Sequence, residues 1–92
     1  MIISEKFKEY IISDKKTTDI FNEQTIYKFP NNYGASVVLG PYTYGTELAV
    51  IYFSEEDYAI DYNTPITNDI LGHLNEVSLK RALEDIYNLP TK

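Results

Sequence analysis

The chain has 92 residues, 43% of them hydrophobic and 14% aromatic, and a formal net charge of -6. This length suits one domain, residues 1–92, and the composition is that of a folded globular protein rather than a disordered one. The absence of cysteine excludes a disulfide framework and thiolate chemistry. With no signal-peptide core and no apolar run near the roughly 18 residues that span a bilayer, we expect a soluble cytoplasmic protein without membrane contact.

The first predicted element is an amphipathic helix over residues 4–13, with Ser4 placed to cap it. Its apolar positions recur at helical spacing, namely Ile3, Phe7, Tyr10 and Ile11. The polar stretch 13–18 predicts the end of this helix. Ile20 and Phe21 are then expected to bring an irregular segment back onto the core.

Four strands are predicted next, because the apolar spacing changes to a period of two and β-branched and aromatic residues become frequent. Their ranges are 25–29, 35–39, 47–53 and 58–62. Between the first two strands, Asn31, Asn32 and Gly34 supply the residues that tolerate positive φ in a hairpin turn. Tight links between successive strands indicate an antiparallel meander.

Two helical segments complete the chain. Thr64 and Pro65 favour a short helix or turn that continues to Gly72. Asn75 is placed to cap a final helix that Pro90 ends, with one apolar stripe formed by Leu79, Ala82, Leu83, Ile86 and Tyr87. The predicted fold is therefore α+β, a four-stranded antiparallel sheet with the N-terminal and C-terminal helices packed on one face.

Charge is distributed unevenly along the chain. Between Phe29 and Leu79 there is no lysine or arginine, whereas seven carboxylates occur there: Glu47, Glu55, Glu56, Asp57, Asp61, Asp69 and Glu76. A field of one sign repels nucleic acid and anionic membranes and favours a basic partner. Because the bases lie mainly on the predicted terminal helices, we expect an acidic, tyrosine-bearing sheet surface opposite a nearly neutral helical one.

Signals for catalysis or cofactor binding are weak. His73 is the only histidine, and an enzyme would need a pocket that joins it to Asp69 or Glu76. The acidic run 55–57 with Asp61 lacks the ligand spacing and glycine of a calcium loop. The stretch 40–45 has glycines but no lysine and no following helix, unlike a phosphate-binding loop. We therefore predict a protein that is not an enzyme and that uses no cofactor or metal.

Tyrosine is the second compositional signal, with six of the nine tyrosines inside the lysine-free middle. Tyrosines beside carboxylates suit the reception of arginine and lysine through cation-π contacts and charge-assisted hydrogen bonds. The alternative is that many of them fill the core of a small sheet. The predicted partner-binding residues are Tyr42, Tyr44, Glu47, Glu55, Glu56, Asp57, Tyr58, Asp61 and Tyr62.

Two stretches carry a resemblance to known proteins: residues 33–45, which include Gly-Pro-Tyr-Thr-Tyr-Gly, and residues 62–72, which include Thr-Pro-Ile-Thr. They resemble small uncharacterised proteins of phages and prophages of Gram-positive bacteria, over about residues 33 to 88. Asn63 departs from the aspartate typical of that group, and the link after Gly45 is shorter. The resemblance implies a phage or prophage origin and the cytoplasm of the host cell as location, and it carries over no catalytic residue.

These observations favour a small acidic binding module directed at a basic protein. One form of the hypothesis is an inhibitor that mimics DNA, with carboxylates in place of phosphates, acting on a nucleic-acid-binding host or competitor protein. The alternative is a non-catalytic accessory or regulatory protein of the phage that forms a homodimer through its sheet, with Tyr58, Ile60 and Tyr62 along an exposed edge. Neither form includes direct binding of nucleic acid.

Overall fold

The structure is a computed structural model that describes residues 2–16, 23–55, 57–66 and 70–92. Within these residues the chain forms a 3-10 helix (Glu5–Tyr10), five strands and one α-helix. The strands are β1 (Ile11–Lys16), β2 (Glu23–Lys28), β3 (Tyr33–Leu39), β4 (Glu47–Ser54) and β5 (Asp57–Ile60), and the helix is α1 (Glu76–Tyr87). The predicted α+β class is confirmed, with five described strands in place of four.

The described strands form one sheet in the order β1-β2-β3-β4-β5, in which each strand pairs antiparallel with the next. This is the predicted meander, extended by β1 at one edge. The β2–β3 turn has Asn32 at a φ of 68°, the left-handed conformation expected of an asparagine in a hairpin. β5 is shorter than predicted, because pairing with β4 ends at Ile60.

The predicted helix over residues 4–13 is wrong beyond Tyr10. Only six residues are helical, in the tighter 3-10 form, and the chain then continues as β1. So short a helix has little stability of its own, whereas Ile11 pairs with Tyr27 of β2 and the β-branched pair Ile11-Ile12 suits a strand. The register shifts between Ile11 and Ser13, so Ile12 lies in a bulge at the junction.

Helix α1 begins and packs as its sequence predicts. The side chain of Asn75 accepts a hydrogen bond from the Ser78 N–H at 2.8 Å, and the Ser78 hydroxyl accepts one from the Asn75 N–H at 2.8 Å. This reciprocal pair is a capping box. Leu79, Ala82, Leu83 and Ile86 of the apolar stripe are buried, whereas Tyr87 remains 38% exposed.

Both described helices pack on one face of the sheet, called here the helix-covered face. Residues opposite each other in antiparallel neighbours share a face, and the set Tyr27, Ala35 and Val50 lies on this one. Their cluster with the helices comprises Phe7, Tyr27, Phe29, Ala35, Val37, Leu48, Val50, Leu79, Ala82, Leu83 and Ile86. Burial of each large aliphatic side chain contributes about 1.5 to 3 kcal/mol, so this cluster is the main source of stability.

The opposite face of the sheet, called here the second face, carries Lys28, Ile51 and Ile60 in register. Phe53 and Tyr58 are also paired there, with ring centroids 5.7 Å apart, and the Lys28 ammonium lies 5.1 Å from the Phe53 ring centroid. This face is therefore largely apolar, with a cation at its margin.

Two predicted features fall wholly or partly outside the described residues. Ile20 and Phe21 lie in residues 17–22, and the predicted short helix after Pro65 includes residues 67–69. Where the chain is described again, Leu71 forms an antiparallel bridge with Leu48 of β4. In the described part of the chain, neither helix has the length and apolar character needed to cross a membrane.

Candidate functional site

The β3–β4 loop, residues 40–46, is held in shape by Thr43. The Thr43 hydroxyl accepts a hydrogen bond from the Gly40 N–H at 3.0 Å. It also lies 2.8 Å from the carbonyl oxygen of Gly40 and 2.7 Å from that of Gly45, and donates its proton to one of them. One short polar side chain thus joins the start and the end of the loop, an arrangement typical of tight turns.

A second segment, residues 71–74, runs alongside this loop. The His73 N–H donates to the Tyr44 carbonyl at 2.7 Å, and the Leu74 N–H donates to the Thr46 carbonyl at 3.0 Å. The rings of Tyr44 and His73 are in tilted contact, with centroids 6.0 Å apart. Residues 40–46 and 71–74 therefore lie side by side, and together they form what we call the tyrosine loop. Residues 40–45 and 71–72 of this loop belong to the two stretches on which the phage resemblance depends, and Gly72 lies beside Tyr44.

The backbone at this junction adopts a conformation that most residues avoid. Gly45 has a φ of 63° and His73 a φ of 54°. For a residue with a side chain this region costs roughly 1 kcal/mol or more. A side chain on Gly45 would also meet the backbone and ring of His73 at 3.4 Å. The hydrogen bonds from the 71–74 segment hold His73 in place, and backbone strain of this kind is concentrated at functional sites.

Tyr42 and Tyr44 project from the loop into solvent. Tyr42 is 88% exposed and Tyr44 72% exposed, more than any other large hydrophobic side chain described. Tyrosines that only fill a core do not remain so accessible, since their rings gain from burial. Both were among the predicted partner-binding residues, and their exposure agrees with that assignment without testing it.

The other predicted residues lie elsewhere on the sheet. Glu47 begins β4 beside the tyrosine loop and is half-buried. Glu55, Asp57 and Tyr58 lie in and after the β4–β5 turn, at the opposite end of β4. Eight strand residues at about 3.3 Å each separate the two groups by roughly 25 Å. Glu56 is outside the described residues, and Tyr62 lies beyond the end of β5 with 47% of its surface exposed.

Asp61 occupies a different environment, on the helix-covered side. It is 6% exposed, and its Oδ2 accepts a hydrogen bond from Lys92 Nζ at 2.7 Å. Its Oδ1 accepts from the Asn63 N–H at 2.9 Å. The Lys92 ammonium, and after it the Asn63 N–H, lowers the pKa of the Asp61 carboxyl. This carboxylate is already neutralised within the chain and is not part of an open acidic surface.

Among the described residues, the expected acidic sheet surface is not formed. The second face carries tyrosine, as expected, and Glu47 lies near one end of it. Asp57 pairs with Ser54 and so lies on the other face, and Glu55 follows β4 in the turn. Lys28 lies on the second face, and Asp61 is paired with Lys92. The sequence could not anticipate this, because the alternation of a strand assigns a residue to a face without identifying its long-range charge partner.

The described catalytic candidates do not share a pocket, since Glu76 lines a cleft with Ser4, Lys6 and Lys80 that His73 does not line. His73 is exposed, Glu76 is exposed in the first turn of α1, and Asp69 lies outside the described residues. Within the described part of the chain, no group of three or more histidine, aspartate and glutamate side chains is placed to hold a metal ion. The tyrosine loop is therefore the strongest candidate site among the residues that the structure describes.

Sequence reasoning missed two features near these sites. The contact of His73 with Tyr44 was not foreseen, although the glycines at 45 and 72 signalled close backbone approach. The pairing of Lys92 with Asp61 joins residues 31 positions apart, for which no local pattern exists.

No family model, no curated protein and no solved structure matches this chain.

Proposed function

We propose that this protein is a non-catalytic protein-binding module of phage or prophage origin that engages a basic partner protein through the tyrosine loop. The observation that carries the proposal is the exposure of Tyr42 and Tyr44, at 88% and 72%, on a loop whose backbone is fixed by hydrogen bonds. Tyrosine side chains offer a large contact area with few rotatable bonds, so they bind with little loss of conformational entropy.

The charge of the chain supports a basic partner. A net charge of -6 favours the approach of cations and disfavours that of nucleic acid. Near the loop, Glu47 adds a half-buried carboxylate at the start of β4. Because the described carboxylates are dispersed and Asp61 is paired with Lys92, mimicry of a phosphate backbone has no geometric support, and the proposal retains only the basic partner.

The test begins by capturing partners from a lysate of a Gram-positive host with the wild type and with the double variant Tyr42→Ala/Tyr44→Ala. The captured protein is then purified and its Kd measured. We expect a basic partner whose affinity falls with added salt and weakens at least tenfold in the double variant, since truncated hot-spot tyrosines cost about 2 kcal/mol or more.

The matched control is Tyr58→Ala, which removes an exposed tyrosine at the other end of β4. Its affinity should equal that of the wild type. Equal weakening by the control and by the loop variant would show that the tyrosine loop is not the site, and salt-independent binding would contradict the basic partner.

A second candidate function, self-association through the sheet, is favoured by the state of β5. All four residues of this edge strand are exposed, including Tyr58 and Ile60. The Asp61 N–H donates to the Val50 carbonyl, so the backbone polar groups of Asp61 point toward β4. Because these groups alternate in direction along a strand, those of Ile60 point toward the free edge. Such an edge can pair with a second copy.

The carboxylate of Asp57 opposes this pairing. It accepts a hydrogen bond from the Tyr58 N–H at 2.7 Å, which occupies one donor of the free edge with a charged group. Sedimentation of the wild type as a concentration-dependent dimer that Tyr58→Ala weakens would support self-association. A monomer at all concentrations, for the wild type and for Asp57→Ala alike, would exclude it.

A further inference from the structure

Tyr33, Tyr52 and Asp61 surround the ammonium group of Lys92. Nζ of Lys92 lies 2.7 Å from Oδ2 of Asp61, 4.5 Å from the ring centroid of Tyr52 and 5.6 Å from that of Tyr33. Both rings are within the distance at which an aromatic face attracts a cation. The ammonium group is therefore bound by one carboxylate and two aromatic rings.

The three receiving residues are positioned by the sheet and not by Lys92. Tyr33 of β3 is paired directly with Tyr52 of β4, which places their rings side by side. The Asp61 N–H donates to the Val50 carbonyl at 2.8 Å and its Oδ1 accepts from the Asn63 N–H, which orients the carboxylate. A site with this geometry is preformed before any cation enters it.

Lys92, by contrast, reaches the site from the segment that follows α1. Its backbone N–H donates to the Asn31 carbonyl at 3.1 Å, and its side chain stays 41% exposed whereas that of Asp61 is 5% exposed. The cation is thus the accessible and removable member of the pair, and the carboxylate is the buried one. A buried carboxylate that loses its cation is an uncompensated charge, which is strongly destabilising, so binding of another cation is favourable.

We propose that Tyr33, Tyr52 and Asp61 form an ammonium-binding site that Lys92 fills within the chain and that accepts a lysine side chain of another chain when Lys92 is displaced. The ligand class is a primary alkylammonium. The carboxylate supplies a charge-assisted hydrogen bond, and the rings replace part of the hydration shell of the cation. The site is separate from the tyrosine loop, so it stands independently of the proposed function.

Lys92 acts as a tethered competitor in this arrangement. Because Lys92 is held beside the site within the same chain, its effective concentration there is in the millimolar range or above. A lysine of another chain occupies the site only when its local concentration exceeds that value or when Lys92 is held elsewhere. The variant Lys92→Ala should therefore bind an alkylammonium at least tenfold more tightly than the wild type does.

The probe is n-butylammonium chloride, compared with sodium chloride at equal ionic strength. In Lys92→Ala we expect a saturable shift of the Tyr33 and Tyr52 ring resonances and a rise in Tm. The matched control, Lys80→Ala, removes an exposed lysine near Glu84 and should respond as the wild type does. The double variant Lys92→Ala/Asp61→Asn should lose the response.

An equal response of Lys92→Ala and Lys80→Ala would overturn the proposal, as would a response that persists without Asp61. Should Lys92→Ala not fold alone, the test becomes its refolding by n-butylammonium. Rescue that sodium chloride does not reproduce supports the site, and absence of rescue overturns it.

A final arm identifies the source of the lysine. The variant Asp61→Asn keeps the Lys92 side chain but lacks the carboxylate of the site. The variant Lys92→Ala keeps the site but lacks the lysine that fills it. A mixed complex of the two in sedimentation would identify Lys92 of a second copy as the ligand. Separate monomers, with Lys92→Ala still binding Nα-acetyl-lysine amide, would identify a lysine of another protein, and failure of both would overturn the proposal.

Discussion

The two ends of the sheet differ in how they use polar side chains. The turn end comprises the β2–β3 turn with the start of β3 (29–34) and the end of α1 with the segment after it (86–92). The other end is the tyrosine loop. At the turn end, the buried Asn31 donates from Nδ2 to the carbonyl oxygens of Ile86, Tyr87 and Leu89, at 2.8, 3.1 and 3.0 Å. A single turn residue thus bonds to three carbonyl oxygens at and just beyond the C-terminus of α1, where helix carbonyls lack their usual donors four residues on.

At the tyrosine loop the hydrogen bonds stay within the loop and its neighbouring segment, and the tyrosine side chains face outward. Thr43 bonds within its own loop, and residues 73 and 74 bond to its backbone, which leaves Tyr42 and Tyr44 in solvent. The turn end therefore uses its polar and aromatic groups to join the helix to the sheet. The tyrosine loop uses the same residue types to present a surface, which is why composition alone did not separate the two uses.

The largest effect is expected from Gly34→Ala at the turn end. A Cβ at this position would lie against the carbonyl oxygen of Tyr27, far inside contact distance, and 2.8 Å from the Phe53 ring. The backbone cannot yield there without breaking the register of β2 with β3. We expect a loss of more than about 3 kcal/mol or no cooperative unfolding transition at all, measured by urea denaturation.

The matched substitution at the other end is Gly72→Ala, where a Cβ would lie 3.3 Å from the Cβ and carbonyl oxygen of Tyr44. A neighbour displaced by a few tenths of an ångström relieves that contact, so its cost should be smaller by at least about 1 kcal/mol. Equal losses of stability in the two variants would show that Gly34 is not packed more tightly against its neighbours than Gly72 is.

The next effect in size is expected from Asn31→Ala. The change removes the Asn31 donor from three buried or part-buried carbonyl oxygens, of which that of Ile86 keeps the Leu89 N–H as a partner, and should destabilise the protein by about 3 kcal/mol. Calorimetry or urea denaturation measures the loss. Asn63→Ala, an exposed asparagine, is the control and should change stability by less than about 0.5 kcal/mol. Similar stabilities for the two variants would show that Asn31 does not join the helix to the sheet.

The elements that sequence predicted well are those with local signals. β3 and β4 are rich in β-branched and aromatic residues, α1 has a helical stripe, and Asn75 stands at the cap where it was expected. β1 was missed because a polar stretch becomes a strand only through pairing with β2. The tertiary partner outweighed local propensity there.

The candidate site was predictable only in part, for a related reason. Tyr42 and Tyr44 were identified from composition, and their exposure follows from a loop with its own internal bonds. Asp61 was assigned to an acidic surface because the lysine-free middle gives it no local partner. Lys92, which pairs with Asp61, lies 31 residues away in the sequence. Asn31 and Ile86, which also form a hydrogen bond, lie 55 residues apart. No local sequence pattern encodes such pairings.

A smaller and pH-dependent effect is expected from Asp61→Asn. Because Lys92 lowers the folded-state pKa of Asp61, the contribution of this carboxylate is complete above its ordinary pKa of about 4 and is lost as pH falls through the folded value. The hydrogen bond to Asp61 raises the pKa of Lys92, whose contribution is complete below about 10 and is lost as pH rises through the folded value.

The Tm difference between wild type and Asp61→Asn should thus stay constant from about pH 5 to pH 9 and shrink as the pH falls below about 4. Thermal denaturation across this range measures it. Asp85→Asn, on the exposed side of α1, is the control and should change Tm little at any pH. A difference that does not vary with pH would mean that the pair is not ionised in the folded protein.

The smallest effect on stability is expected from Tyr42→Ala/Tyr44→Ala. Side chains that are 88% and 72% exposed bury little surface on folding, so the free energy of unfolding should change by less than about 0.5 kcal/mol. Tyr27→Ala is the counterpart inside the core, where the ring is fully buried and its loss should cost about 3 to 5 kcal/mol. A large loss in the loop variant would indicate that these tyrosines stabilise the fold, and the binding role proposed for the tyrosine loop would lose its physical basis.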